Sequence, residues 1–138
     1  MKIYVKAEKF REVISKCMNS HIERIFFGIG KIEVSAYRIV DIIECKNIAK
    51  NPETEFLADP MCMYNVYKQA EGKGLEIIAL IHSHPTDPVP SNLDLKNMRL
   101  WEVPWIIINN VKGSYKAWTY NKEKGLEEIE IVEEDYFN

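Results

Sequence analysis

At 138 residues, 46% hydrophobic and 28% charged, the chain has room for one real core and too little for two, so residues 1–138 read as a single globular domain. A net charge of −3 with no basic stripe gives no electrostatic reason to expect a nucleic-acid partner, and no apolar stretch is long enough to suggest a membrane span. Cys17, Cys45 and Cys62 are an odd number without C-x-x-C spacing, which argues against a zinc knuckle or a disulfide framework; they read as buried thiols, with room for one bridging pair.

The first nine residues are charged throughout and lack the apolar core of a secretory leader, so a cytoplasmic protein is expected. Lys2–Val5 alternates as a short strand does. Apolar residues at Phe10, Val13, Ile14 and Cys17 then recur three and four apart, which predicts an amphipathic helix over 7–18. Three strands are expected next, over 23–30, 32–40 and 42–48, separated by short polar breaks. Asp59-Pro60 opens a second helix, with proline at its first position, and Gly72 and Gly74 close it. Met61, Met63 and Tyr64 on that helix read as core residues, with a docking surface as the alternative.

Leu75–Ile81 is a short, nearly continuous apolar run, the mark of a strand buried on both faces. His82-Ser83-His84-Pro85 follows where that run ends. Residues two apart share one face of a strand, about 7 Å apart at their attachment points, so both imidazoles can reach one ion at about 2.0–2.1 Å. Pro85, Pro88 and Pro90 stiffen the loop that follows. Ser91-Asn92-Leu93-Asp94 then sets Ser91 as N-cap and Asp94 at the third position of a third helix. Helical side chains tilt toward the N-terminus, which returns Asp94 to the strand end. Two histidines and one carboxylate with a fourth position open describe a catalytic zinc site, since structural zinc sites are closed. Strands are expected over 104–109, 114–120 and 126–132, and Glu133-Glu134-Asp135 reads as a solvated tail. The whole is one mixed sheet of about six to eight strands flanked by helices, an α/β or α+β sandwich.

Zinc lowers the pKa of a bound water, but amide hydrolysis also needs a group that takes the water's proton and returns one to the leaving amine. A carboxylate beside the ion can do both. Glu23, Glu33, Asp41 and Glu44 are candidates that local pattern cannot separate, and H-E-x-x-H is absent. His21 and Asp87 are spare ligands, read as a helix-end histidine and a turn residue.

The spacing of His82-Ser83-His84-Pro85, Ser91 and Asp94 resembles the JAMM (MPN+) metalloprotease motif H-[S/T]-H-P-x(5)-S-x(2)-D. The family's glutamate element, with glycines commonly three and seven residues later, is similar to Glu23 and Gly30; Phe26 stands where the first of these glycines is usual. The resemblance covers nearly the whole chain. It implies a cytidine-deaminase-like MPN fold, with His82, His84 and Asp94 ligating one Zn2+ and its catalytic water. Glu23 would be the general acid/base, and Ser91 the donor to the oxyanion. It also implies a zinc-dependent isopeptidase or peptidase acting after the C-terminal tail of a ubiquitin-like modifier, the partner to expect. Such a tail can add as a strand to an exposed sheet edge, its glycines passing close to the metal. The alternatives are a zinc amidase or peptidase on a small peptide or sulfur-carrier adduct, and a non-catalytic MPN scaffold. Oligomeric state is not legible in the residues.

Overall fold

The computed structural model describes residues 1–135, in which seven strands and three helices follow one another. They are β1 (Lys2–Lys6), α1 (Ala7–Met18), β2 (Ile25–Glu33), β3 (Ala36–Cys45), α2 (Pro60–Gly72), β4 (Glu76–His84), α3 (Asn92–Met98), β5 (Trp105–Asn109), β6 (Tyr115–Asn121) and β7 (Gly125–Glu134). The expected mixed sheet is present, and it closes on itself in the order β1-β3-β2-β4-β5-β6-β7 because β1 runs parallel to both β3 and β7. β1 covers only Ala36, Tyr37 and Arg38 of β3. Among the described residues, the outer flank of β3 from Ile39 to Cys45 therefore carries no strand.

Alternation along the central strands feeds two cores. Phe26 and Ile81 point to the face covered by Phe10, Val13 and Cys17 of α1. Ile25, Phe27, Ile29 and Leu80 point to the other, where Val66 and Ala70 of α2 and Met98 of α3 cover them. A strand buried on both faces reads as a continuous apolar run, which is why 75–81 shows no alternation. α2 begins as its sequence requires: the Asp59 carboxylate accepts from Met61 N at 3.1 Å, with Pro60 at the first position. Of its three apolar residues read as core, only Met63 packs inward; Met61 and Tyr64 are exposed.

Three further expectations need correction. Of the two strands expected over 32–40 and 42–48, residues 32 and 33 belong to β2, which runs on to Glu33, and the rest up to Cys45 form one strand, β3, after a turn at 34–35. Ile29 stands opposite Asp41 and Gly30 opposite Ile39, so Val40 is an extra residue in a bulge and the chain passes through Asp41 without a break. Glu133 and Glu134 are not a solvated tail, because they pair with Val5 and Lys6 at the end of β7, and Arg38 Nη1 reaches Glu134 at 3.2 Å. The third correction concerns the thiols. Cys45 and Cys62 form a disulfide that ties the end of β3 to α2, and only Cys17 is a free, buried thiol.

The bulge explains one glycine. A Cβ at Gly30 would run into the Arg38 carbonyl, a backbone group that cannot move aside, whereas one at Gly28 would meet the Ile39 side chain at 3.1 Å and Ala79 Cβ at 3.2 Å. Gly30→Ala should therefore lower the unfolding free energy by about 3 kcal/mol, against about 1 kcal/mol for Gly28→Ala. Denaturant titration reads both, and equal losses would contradict the bulge as the cause.

Candidate metal centre

β4 carries its ladder through His84, so His82 and His84 leave one face of the last two turns of the pleat as neighbours, with ring centroids 5.4 Å apart. α3 supplies the third group. Ser91 Oγ accepts from Asp94 N at 3.0 Å, and Asp94 Oδ2 accepts from Ser91 N at 3.0 Å, a reciprocal capping box that aims the carboxylate back at the strand. Asp94 Oδ1 lies 3.3 Å from His82 Nε2, and Asp94 Oδ2 lies 3.8 Å from His84 Nε2. One donor atom from each of the three falls within 4.8 Å of the others, and all three side chains are buried.

These residues fit a zinc ion. His82 Nδ1, His82 Nε2 and His84 Nε2 are buried without a hydrogen-bond partner, a costly arrangement unless something else engages them. Two imidazoles and a carboxylate are a usual donor set for that ion, and donors about 2.0–2.1 Å from a tetrahedral centre stand roughly 3.3 Å from one another. The supports around the donors fix their directions. Thr86 Oγ1 sits 2.9 Å from His84 Nδ1, which leaves Nε2 for the ion. Phe56 lies against the His82 ring at 4.5 Å between centroids, and Trp105 meets it edge-on at 5.7 Å. Thr86 could have been suspected from its place two residues after His84. Phe56 had no local signal, being 26 residues away in an irregular segment.

Of the four carboxylates left open by the sequence, only Glu23 reaches this site. Glu33 is bonded to Arg38 at 3.0 Å, Asp41 to Lys9 at 2.5 Å and Glu44 to Arg24 at 2.7 Å. Glu23 is buried, and its Oε1 lies 3.5 Å from His82 Nδ1. Register puts it there. Ile25 pairs with His82 across β2 and β4, Arg24 N donates to Ser83 Oγ at 3.0 Å, and Ser83 N donates to Arg24 O at 3.1 Å. Glu23, two residues before Ile25 and just ahead of the strand, then falls beside the histidine pair. His21 and Asp87 are exposed and stand outside the group. Phe26, in place of the family's usual glycine, fills the core under α1, away from the site.

The charges are coupled. Burial alone would push His82 down, but Asp94 and Glu23 outweigh it and hold the imidazole up to about 9. Burial alone would raise the Asp94 carboxyl, but His82, the Ser91 N–H and His84 hold it below its ordinary value. In the metal-free protein the two carboxylates therefore favour the protonated form of His82. Its folded value lies above the ordinary 6.5, so the linked stabilisation is full below about pH 6.5 and is lost as pH rises through about 9. The thermal midpoint of metal-free protein should fall across that window while metal binding tightens and releases a proton. A midpoint that stays level there would show that His82 is not charged.

From residue 12 to residue 121 the chain matches the family described as prokaryotic homologs of the JAB domain. It is 34% identical over 125 residues to a desampylase of Pyrococcus furiosus, covering 90% of this chain and 85% of that one. It is 40% identical over 67 residues to a probable TtuB-protein conjugate cleaving protease of Thermus thermophilus, covering 48% of this chain and 45% of that one. Two solution structures share the fold at lower identity. A Desulfitobacterium hafniense protein matches with a TM-score of 0.81 at 20% identity over 99% of this chain and 94% of its own. A Salinibacter ruber protein matches with a TM-score of 0.69 at 19% identity over 98% and 92%. The resemblance carried by the H-x-H-P and S-x-x-D spacing is thereby borne out, and the chain belongs to the family of prokaryotic homologs of the JAB domain.

Proposed function

We propose that this protein is a zinc-dependent isopeptidase or peptidase that hydrolyses the bond after the C-terminal tail of a ubiquitin-like modifier. The observation that carries the proposal is the buried triangle of His82, His84 and Asp94 with the Glu23 carboxylate at its margin. The names of the two relatives, a desampylase and a probable TtuB-protein conjugate cleaving protease, support the substrate class.

His82, His84 and Asp94 would hold the ion. Bound there, zinc supplies Lewis acidity toward the scissile carbonyl and acidifies a water. Glu23 takes the proton of the attacking water and returns it to the leaving amine, which departs neutral. Ser91 is an exposed residue that accepts from Asp94 N through one lone pair. Its own O–H remains to donate to the oxygen on which charge develops. The substrate tail lies extended so that its backbone can pass close to the metal. The outer flank of β3, which carries no strand beyond Arg38 until α2 meets it at Glu44 and Cys45, is a suitable place for it to add.

The contact between Glu23 Oε1 and His82 Nδ1 favours a second duty for the same carboxylate, that of orienting a ligand imidazole. The two duties separate by measurement. Glu23→Gln should lower kcat by about 10³-fold or more with zinc retained one to one if proton transfer dominates. Lost zinc affinity of about tenfold or more would mark the orienting duty, and near-normal turnover would remove Glu23 from the reaction.

His84→Ala and Asp94→Ala should each reduce bound zinc in purified protein; full occupancy in both would contradict the ligand assignment. The deciding experiment is incubation with purified ubiquitin-like modifiers, TtuB among them, linked to lysine by isopeptide bonds, with and without chelator, read by mass spectrometry. Chelator-sensitive release of the modifier is expected. Turnover of short peptides but of no conjugate would instead make the protein a zinc amidase, and no turnover with zinc bound would make it a scaffold.

A further inference from the structure

Glu23 does not lie in a strand. β2 begins at Ile25, so no ladder holds the backbone of the residue proposed to carry the proton. Both of its backbone groups are held by the irregular segment 46–58. Glu23 N donates to Pro52 O at 2.7 Å, and Glu23 O accepts from Asn47 Nδ2 at 2.7 Å.

Asn47 is the hub of that segment. Its Nδ2 also donates to Glu55 O at 3.0 Å and, at 3.4 Å, to Pro52 O, the same carbonyl that takes the Glu23 amide. Its Oδ1 accepts from Ala49 N and from Leu57 N, both at 3.0 Å. Three carbonyls on one side and two amides on the other fix which way the amide points and use both its donors and both its lone pairs. The Glu55 and Leu57 bonds bracket Phe56, whose ring lies against His82. The frame around Asn47 is itself anchored. Asn47 bridges to Ala58, Asp59 N donates to Lys46 O at 3.0 Å, and Cys45, two residues earlier, is bonded to Cys62.

We propose that Asn47 is a positioning residue for hydrolysis, which acts by fixing the backbone of Glu23 against the histidine pair. The inference rests on the reading of Glu23 as proton carrier. An asparagine suits the place on chemical grounds. Aspartate keeps the acceptor for Ala49 and Leu57 but loses every donor, and sets a negative charge among three carbonyl oxygens. Serine keeps one small donor and carries no charge.

The test uses full-length, zinc-loaded Asn47→Asp and Asn47→Ser on the conjugate that the wild-type chain cleaves. Zinc content and amide hydrogen exchange are measured alongside kinetics. The expected result is a fall in kcat of about ten- to a hundredfold with KM within about twofold. Zinc should remain one to one, and exchange should quicken at the Glu23 amide while the ladder amides of β2 and β4 stay protected. A merely structural role would not give that selective pattern. Unchanged kcat, a change in KM alone, or a Glu23 amide as protected as in wild type would overturn the proposal. So would failure of both variants to fold, which would make Asn47 a determinant of the fold rather than of the site. If Glu23→Gln is active, the parent reading fails; if Glu23→Gln is inactive and both Asn47 variants are normal, only this inference fails.

Discussion

The pairing of β2 with β4 is the constraint on which the site depends. Ile25 opposite His82, with Arg24 and Ser83 bonded to each other just beyond, decides which residues meet at the strand ends. A slip of one residue would turn every side chain of β2 to the other face and exchange the two cores. Apolar residues on both faces make such a slip costly: Phe26 would leave the pocket under α1, while Ile25 and Phe27 would leave the side covered by α2 and α3. The same packing that stabilises the sheet therefore brings the chain just ahead of β2 up to the imidazoles, where the Asn47 amide and the Pro52 carbonyl hold Glu23. Function here is a consequence of register.

At the end of that ladder the molecule accepts an arrangement that an ordinary core avoids. Four ionisable side chains are buried together, and three imidazole nitrogens lack hydrogen-bond partners. A buried charge of this kind is tolerable only when opposite charges or a metal compensate it. Without metal, Asp94 and Glu23 favour a proton on His82, the charge that would offset theirs. The capping box gives Asp94 a further share of its stabilisation, since the Ser91 N–H lies against one of its oxygens. Helix start and proposed ligand are thus one structural device, because a carboxylate has two oxygens with separate tasks.

Around the buried group the supports differ in kind. His82 and His84 stand on a strand bonded on both sides, and Asp94 stands in the first turn of a helix. Glu23 stands on neither. Its place comes from one asparagine amide and one carbonyl in a segment stapled at its base by the disulfide between Cys45 and Cys62. Rigid elements hold the proposed ligands, and a network of side-chain to backbone bonds holds the proposed base. Such networks act cooperatively, so the loss of one member is felt by all.

The sequence by itself determined the proposed ligand set, and the reason is locality. His82 and His84 share a face because a strand repeats every two residues, and Ser91 and Asp94 face each other because an N-cap and the third helical residue always do. The outlines of α1, α2 and α3 were legible for the same reason. What lay beyond local pattern was every choice between distant residues. Local pattern left Glu23 level with Glu33, Asp41 and Glu44; the family resemblance pointed to Glu23, and in the fold each of the other three meets its own cation. The union of two expected strands into β3, the capture of Glu133 and Glu134 by β1, the Cys45–Cys62 bond and the seat of Phe56 on His82 were likewise tertiary decisions. Each joins residues far apart in the chain, and their energies come from register and packing, which no window of neighbouring residues contains.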